Sequence, residues 1–315
     1  MKVIWKLLWL QLRLSSSLAP KQIWRRAVDY VAVNDFSDIP MVNDTMENLP
    51  EAFDSRLQWP YCPGIGEISD QASCASCWAV SAVDAMSDRI CIHSKGKHKV
   101  RLSASNLVNC CSQCGEGCSG GFYKPAWKYW TVHGIVSGGV YEGEVNIPDL
   151  YSSVGCQPYE FKPCEHLLVN KLPSCIKDGP TPPCRKTCQS NYSVSYEDDA
   201  YYGKSAYMIE FNEQAIKTEI YRNGPVQGSV KMYSDLYNYK SGVYEFDKKG
   251  HFIFHHAVRI IGWGVDNTTK VPYWLVANSF NRNWGENGLF RIKRGLNECW
   301  IEEGVVAGIP KLPQN

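Results

Sequence analysis

Cys77, His256 and Asn278 are the residues whose types and order could carry covalent chemistry. Cys77 opens the run Cys77-Trp78-Ala79-Val80-Ser81-Ala82-Val83-Asp84-Ala85-Met86, which reads as helix. A thiol at a helix N-terminus sits in the positive end of the macrodipole, which favours thiolate. Acyl transfer to a thiol needs an ionised sulfur, an imidazole that holds and returns the proton, a group that fixes the imidazole, and donors for the oxyanion. Cys77 fits the first role and His256 the second. Asn278 suits the third, accepting a hydrogen bond from the far side of the ring. Gln71, six residues before Cys77, offers an amide N–H beside the Cys77 backbone N–H for the oxyanion. Phe280 and Trp284 are spaced to shield the His–Asn bond from water. His255 reads as cleft wall, and Asp70 and Asp266 as solvated loop charges rather than a triad acid.

The elements that must position these groups change type along the chain. Residues 77–90 and 122–133 have helical apolar spacing. Between them lies a loop dense in Cys and Gly, Cys110 to Gly121. From 140 to 205 there is little periodicity, much Pro, and five cysteines, so this stretch must be functional or cross-linked. A short helix is predicted at 212–223, stopped by Gly224-Pro225. Apolar, aromatic and β-branched runs at 226–233, 242–246, 256–263, 273–277 and 288–293 read as strands of an antiparallel sheet or barrel. Helix-rich front and strand-rich back predict an α+β protein of two unlike lobes. Cys77 lies on one lobe and His256 and Asn278 on the other, so the cleft between them is the natural site.

Composition limits the setting. The chain has 315 residues and a net charge of +1 with no basic block, so neither nucleic acid nor an anionic membrane is an implied partner. Fourteen cysteines point to an oxidising compartment. The sequons at Asn43, Asn191 and Asn267 agree with a secretory route. Cys110, Cys111, Cys114 and Cys118 have a spacing zinc could use, but this composition favours disulfides. No metal or cofactor is called for. Lys2 to Ala19 resembles a signal peptide interrupted by Gln11 and Arg13. No run is long enough to span a bilayer. Residues 1–48 read as leader and short pro-segment, and 49–315 as one catalytic domain.

The octet Gln71-Ala72-Ser73-Cys74-Ala75-Ser76-Cys77-Trp78, followed by His256 and Asn278, resembles the papain family of cysteine proteases. Within it the chain is similar to the cathepsin B-like enzymes over nearly all of 49–310. The similarity runs through Ser87 to His93, Val136 to Gly139, Tyr239 to Tyr244, Gly262 to Val265 and Val305 to Pro310. Tyr273 to Ser279 with Asn283 to Glu286 is similar to nematode members. The resemblance implies a papain-like two-lobe fold, with a helical left lobe and a β-barrel-like right lobe. It implies a monomeric zymogen, secreted or lysosomal, that cuts proteins or peptides and is open to cystatin-like inhibitors. It implies six disulfides: Cys62–Cys91, Cys74–Cys118, Cys110–Cys184, Cys111–Cys114, Cys156–Cys188 and Cys164–Cys175. Cys77 and Cys299 are left free. It places Gly120 and Gly121 as an open backbone edge beside substrate, and Ala257, Trp284 and Gly304 along the cleft. The extra length before His256 matches an occluding loop, inserted at about 156–188, whose His166 pairs with Asp70.

The departures from the family pattern bear on activity. Ala72 and Ala75 replace glycines, and Ala75 would be strained if its φ were positive. Leu167 replaces the second of two loop histidines that receive a substrate's C-terminal carboxylate. Gly304 replaces a glutamate at the base of the S2 pocket. These changes predict endopeptidase activity with impaired dipeptidyl carboxypeptidase activity. The rival reading is a catalytically weak homologue that binds proteins or peptides.

Overall fold

The computed structural model describes residues 39–139, 141, 155–167, 172–175 and 178–312. Most of the expected leader and pro-segment, and Lys171 in the insertion, lie outside them. Strands β1 (Met41–Val42) and β2 (Phe53–Asp54) precede the one-turn helix α1 (Ser55–Gln58). Three longer helices follow: α2 (Cys77–His93), α3 (Ala104–Cys110) and α4 (Tyr123–His133). The rest is mainly strand, with β3 (Tyr202–Ile209), α5 (Glu213–Asn223), β4 (Val226–Tyr233), α6 (Ser234–Tyr237) and β5 (Val243–Tyr244). It ends with β6 (Phe252–Val265), β7 (Pro272–Ala277), β8 (Leu289–Lys293) and β9 (Val306–Lys311).

Local chemistry explains several boundaries. Asn212 caps α5, its side chain accepting from the N–H groups of Gln214 and Ala215. Gly224 ends that helix at φ 99°, a conformation that suits glycine. Ser103 caps α3 by accepting from Asn106 N at 2.9 Å. Sequence periodicity misses α3 because it is only 7 residues long and ends in a cystine. It misses β3 because a bulge between Gly203 and Ser205 breaks the alternation.

The strands form one sheet in the order β1-β3-β9-β4-β6-β7-β8-β5, with β2 on the flank of β6. Pairing is antiparallel except for β1 with β3 and β5 with β8. The barrel expected of this lobe does not close: among the described residues no pairing joins β1 to β5. Both end strands are two residues long and offer too few ladder bonds for closure.

Among the described residues there are two cores. One lies on the sheet and includes Phe53, Phe254, Ile260, Trp263 and Trp274. The other holds Trp78, Leu107, Trp127 and Trp130 among the helices. Helix α2 serves both, and every residue from Cys77 to Ile92 is buried. Its polar residues therefore need partners. Arg89 donates to the carbonyls of Pro225, Gly224 and Gly308 and pairs with Glu219. Asp88 pairs with Arg259 of β6 at 2.6 Å, each side chain 2% exposed. This pair ties the helix that starts at Cys77 to the strand that carries His256. Arg259→Ala leaves Asp88 buried and unpaired, and should cost about 3–5 kcal/mol of stability. Urea denaturation in a Cys77→Ser background, which prevents self-digestion, measures this. A change under 1 kcal/mol would mean that the pair does not hold the lobes.

Candidate active site

Cys77 is the first residue of α2, and its thiol is free and buried. Strands β6 and β4 pair Ala257 with Ser229 and His256 with Val230. A backbone hydrogen bond from Ala257 reaches the Cys77 thiol, which puts the sulfur beside the residue that follows His256. His256 is 1% exposed. Its Nε2 lies 2.7 Å from Asn278 Oδ1. Ser279 N donates to the same Oδ1 at 2.7 Å, which fixes the amide's orientation. An amide oxygen only accepts, so Nε2 carries the proton. Nδ1 is buried without a hydrogen-bond partner and holds a lone pair that could take a thiol proton.

Burial dominates the electrostatics. It pushes the Cys77 thiol up to about 11, against the backbone hydrogen bonds of Ala257 and Trp78. The helix-start position alone predicts the opposite direction, but desolvation outweighs it. Burial likewise pushes the His256 imidazole down to about 4, partly opposed by Asn278. Neither charge is favoured alone. A proton moved from sulfur to a neighbouring imidazole would create both charges together, each offsetting the other's burial.

Phe280 covers the histidine, its ring centroid 4.7 Å from that of His256. Trp284 packs behind Phe280 at 6.0 Å and donates to Tyr237 O. It is 1% exposed, so it supports the shield and offers a substrate almost no surface, unlike the expectation from sequence. His255 leaves the opposite face of β6, as strand alternation requires, and packs on Phe252 and Trp300.

Gln71 is fully buried and held at four points. Its backbone N–H donates to Ser279 O and its carbonyl accepts from Tyr159 OH. Its Oε1 accepts from Ser279 Oγ, and one amide N–H goes to Cys74 O at 3.2 Å. The second amide N–H is the one left for an oxyanion. In the next residues it is Ala72, not Ala75, that has positive φ, at 53°. An L-residue there costs about 1–2 kcal/mol. The bond from Ala72 N to Asp70 Oδ1 helps to hold it.

Six disulfides join the pairs implied by the resemblance, from Cys62–Cys91 to Cys164–Cys175. Cys74–Cys118 ties the loop before Cys77 to the glycine loop. The bridge between Gly115 and Gly121 uses Gly120 O and Phe122 N, so both backbone groups of Gly120 are spent inside the loop. Those of Gly121 point away from it, as in a non-hydrogen-bonded pair. A Cβ on Gly121 would lie 2.6 Å from the Trp78 ring, so only glycine fits.

Asp70 is buried rather than solvated. It accepts from His166 at 2.6 Å, Ala72 N, Cys164 N and Asn281 Nδ2. The His166 ring also stacks on Phe280 at 4.5 Å, so the insertion is seated against the ring that covers His256. Asp266, by contrast, caps its own turn and pairs with Arg291, and those hydrogen bonds hold its carboxyl down at about 2. Ligating atoms of Cys164, His166 and Cys175 lie within 4.8 Å of one another, but the two sulfurs are bonded to each other. Sequence reasoning missed Asp178, half-buried and raised to about 6 by desolvation against the pull of His166, and adding to the upward push on the Cys77 thiol. It also missed Tyr159. Both lie in the aperiodic stretch, where no pattern marks them.

At the far end of the Ala257–Ser229 pair, Tyr123 OH lies 3.5 Å from Ser229 Oγ and donates to Gly304 O at 2.9 Å. A Cβ on Gly304, at φ 69°, would lie 3.0 Å from that hydroxyl and 3.4 Å from Lys124 Nζ.

A family model described as papain family cysteine protease matches residues 49–309. The chain is 48% identical over 270 residues to a cathepsin B-like cysteine proteinase of Schistosoma japonicum, covering 85% of this chain and 75% of that protein. It is 48% identical over 268 residues to cathepsin B-like cysteine proteinase 6 of Caenorhabditis elegans, covering 84% and 68%. Among solved structures, procathepsin B S9 from Trypanosoma congolense superposes with a TM-score of 0.72 at 39% identity, covering 87% of this chain and 83% of that one. Digestive procathepsin L2 from Tenebrio molitor shares the fold, with a TM-score of 0.63 at 24% identity and coverage of 88% and 75%.

Proposed function

This chain belongs to the papain family of cysteine proteases as a cathepsin B-like peptidase, and we propose that it cuts peptide bonds through Cys77, His256 and Asn278. The observation that carries this reading is the hydrogen bond from His256 Nε2 to Asn278 Oδ1, with Nδ1 left unpartnered and the next residue, Ala257, hydrogen-bonded through its backbone to the free Cys77 thiol. His256 Nδ1 takes the Cys77 proton, and the sulfur attacks the scissile carbonyl carbon. The oxyanion is met by the Cys77 N–H and the free amide N–H of Gln71. The imidazolium returns its proton to the leaving amine, and water then hydrolyses the thioester. Asn278 holds the ring, and Phe280 keeps water from that bond. Hydrolysis of a fluorogenic dipeptide by the processed protein, with and without Cys77→Ser, tests the reading.

Residues 1–48 are assigned as leader and pro-segment and 49–315 as the peptidase domain. Secretion or lysosomal delivery is supported by the three exposed sequon asparagines, Asn43, Asn191 and Asn267. Among the described residues no helix is long and apolar enough to cross a membrane.

Substrate choice follows from two departures. With Gly304 in place of an acid and Lys124 Nζ close to it, a P2 arginine gains no counter-charge at this position. Phe-Arg dipeptidyl substrates should be cut with higher kcat/KM than Arg-Arg ones, since an unpaired guanidinium in a partly buried pocket is costly. Equal rates would refute this.

Endopeptidase activity is favoured and removal of C-terminal dipeptides impaired. His166 Nε2 is engaged by Asp70, and Leu167 is buried among apolar side chains. Lys162 is exposed to solvent. The loss of a charge-assisted hydrogen bond to the terminal carboxylate costs about 1.5–3 kcal/mol, roughly 10–100-fold. Leu167→His should raise cleavage of a free-acid substrate relative to its amidated twin. The ratio within one protein cancels any general loss of stability. An unchanged ratio would contradict the assignment.

A further inference from the structure

Ser76 is the N-cap residue of α2, yet its hydroxyl makes no capping bond. Serine at that position normally accepts from a backbone N–H of the first turn, worth about 1 kcal/mol. Here its Oγ lies 2.7 Å from the hydroxyl of Tyr159. The Tyr159 proton is committed elsewhere, because Tyr159 OH donates to Gln71 O at 2.7 Å and a carbonyl only accepts. The order is therefore Ser76 Oγ–H to Tyr159 O–H to Gln71 C=O, a chain in which each bond polarises the next. Tyr159 is 5% exposed, and burial holds its phenol far above the usual range, so the hydroxyl stays protonated.

The two ends of this chain flank the oxyanion donors. Gln71 supplies the side-chain amide. Ser76 is followed directly by Cys77, whose backbone N–H is the other donor. Between them the backbone turns through Ala72, in a conformation unfavourable to alanine, and Cys74, tied to Cys118. Tyr159 bridges the neck of this loop through its bonds to Gln71 O and Ser76 Oγ.

We propose that Tyr159 is a positioning residue for oxyanion stabilisation, holding Gln71 and the start of α2 at a fixed distance through its hydroxyl. The proposal rests on the assignment of Cys77 as nucleophile. It explains why Ser76 forgoes its cap, and it gives the aperiodic stretch a task near the chemistry. A misplacement of catalytic groups by about 1 Å costs on the order of 100-fold, so loss of one link should cost about 10–100-fold.

Tyr159→Phe removes only the hydroxyl. The variant should lose about 10–100-fold in kcat with KM within about twofold. Binding of a peptide aldehyde, whose adduct places an oxyanion between the donors, should weaken by the same factor. Alkylation of Cys77 by iodoacetamide develops no oxyanion and should keep its rate within about twofold. Ser76→Ala cuts the other link and should show the same pattern, and it decides the matter if Tyr159→Phe does not fold. An unchanged kcat overturns the proposal. So does a parallel fall in aldehyde binding and alkylation, which would mean general loosening. Failure of the wild-type thiol to alkylate would instead overturn the Cys77 assignment beneath it.

Discussion

His256→Ala should lower kcat by about 10²–10⁴-fold or more, while His255→Ala should leave it within a few-fold. The two histidines are adjacent, so strand alternation sends them to opposite faces of β6. His256 faces Asn278 and Phe280 and is sealed from solvent. His255 is half-exposed against Phe252 and Trp300. Loss of His256 removes the acceptor for the thiol proton, and burial then keeps the thiol near pKa 11 and almost wholly protonated at neutral pH. The variant should also lose reactivity towards iodoacetamide at pH 7. Steady-state kinetics on both variants decide between the residues. A larger loss for His255→Ala would mean that the wrong imidazole has been given the role.

Cys77→Ser should reduce peptidase activity by a factor on the order of 10⁶, the scale seen when a protease loses its nucleophile. The fold should survive, because serine nearly fills the same space in a site that already excludes water. The variant also tests how the pair shares charge. Without a thiolate, His256 has no anion to offset its burial, and its imidazole should titrate near 4. That lies below the unfolded value of about 6.5. The folded state then binds fewer protons than the unfolded one as pH falls. This contribution to stability is full above about 6.5 and is lost as pH drops through that value towards 4. NMR titration of the His256 ring reads this directly. A pKa at or above 6.5 in the variant would contradict the dominance of burial.

Much of this was legible in the residues. Helices α2, α4 and α5 and strands β4, β6, β7 and β8 announce themselves by apolar period and by stops such as Gly224-Pro225. The Cys, His, Asn order and the upstream Gln71 point to residues that fold together: His256 bonds Asn278, and Gln71 bonds Ser279 beside it. What stayed hidden depends on distance along the chain. Asp70 reads as a loop charge because its partner His166 is 96 residues away. Tyr159 reads as one aromatic among many because its two partners are 83 and 88 residues away. The ionisation of Cys77 could not be read from its helix-start position, since the burial that opposes it exists only in the folded chain. The strand runs leave open a sheet or a barrel, and the two-residue lengths of β1 and β5 decide for the open sheet.

Labelling with an epoxide inhibitor of thiol proteases, followed by peptide mass spectrometry, tests the central claim most directly. Cys77 and Cys299 are the free cysteines, and both are buried. Burial and the neighbouring Glu298 carboxylate hold the Cys299 thiol up at about 12, and no imidazole is hydrogen-bonded to it among the described residues. One adduct per chain is expected, on the peptide that contains Cys77, with peptidase activity lost in proportion to labelling. An adduct on Cys299, or a Cys77 that stays unmodified while peptide hydrolysis proceeds, would contradict it.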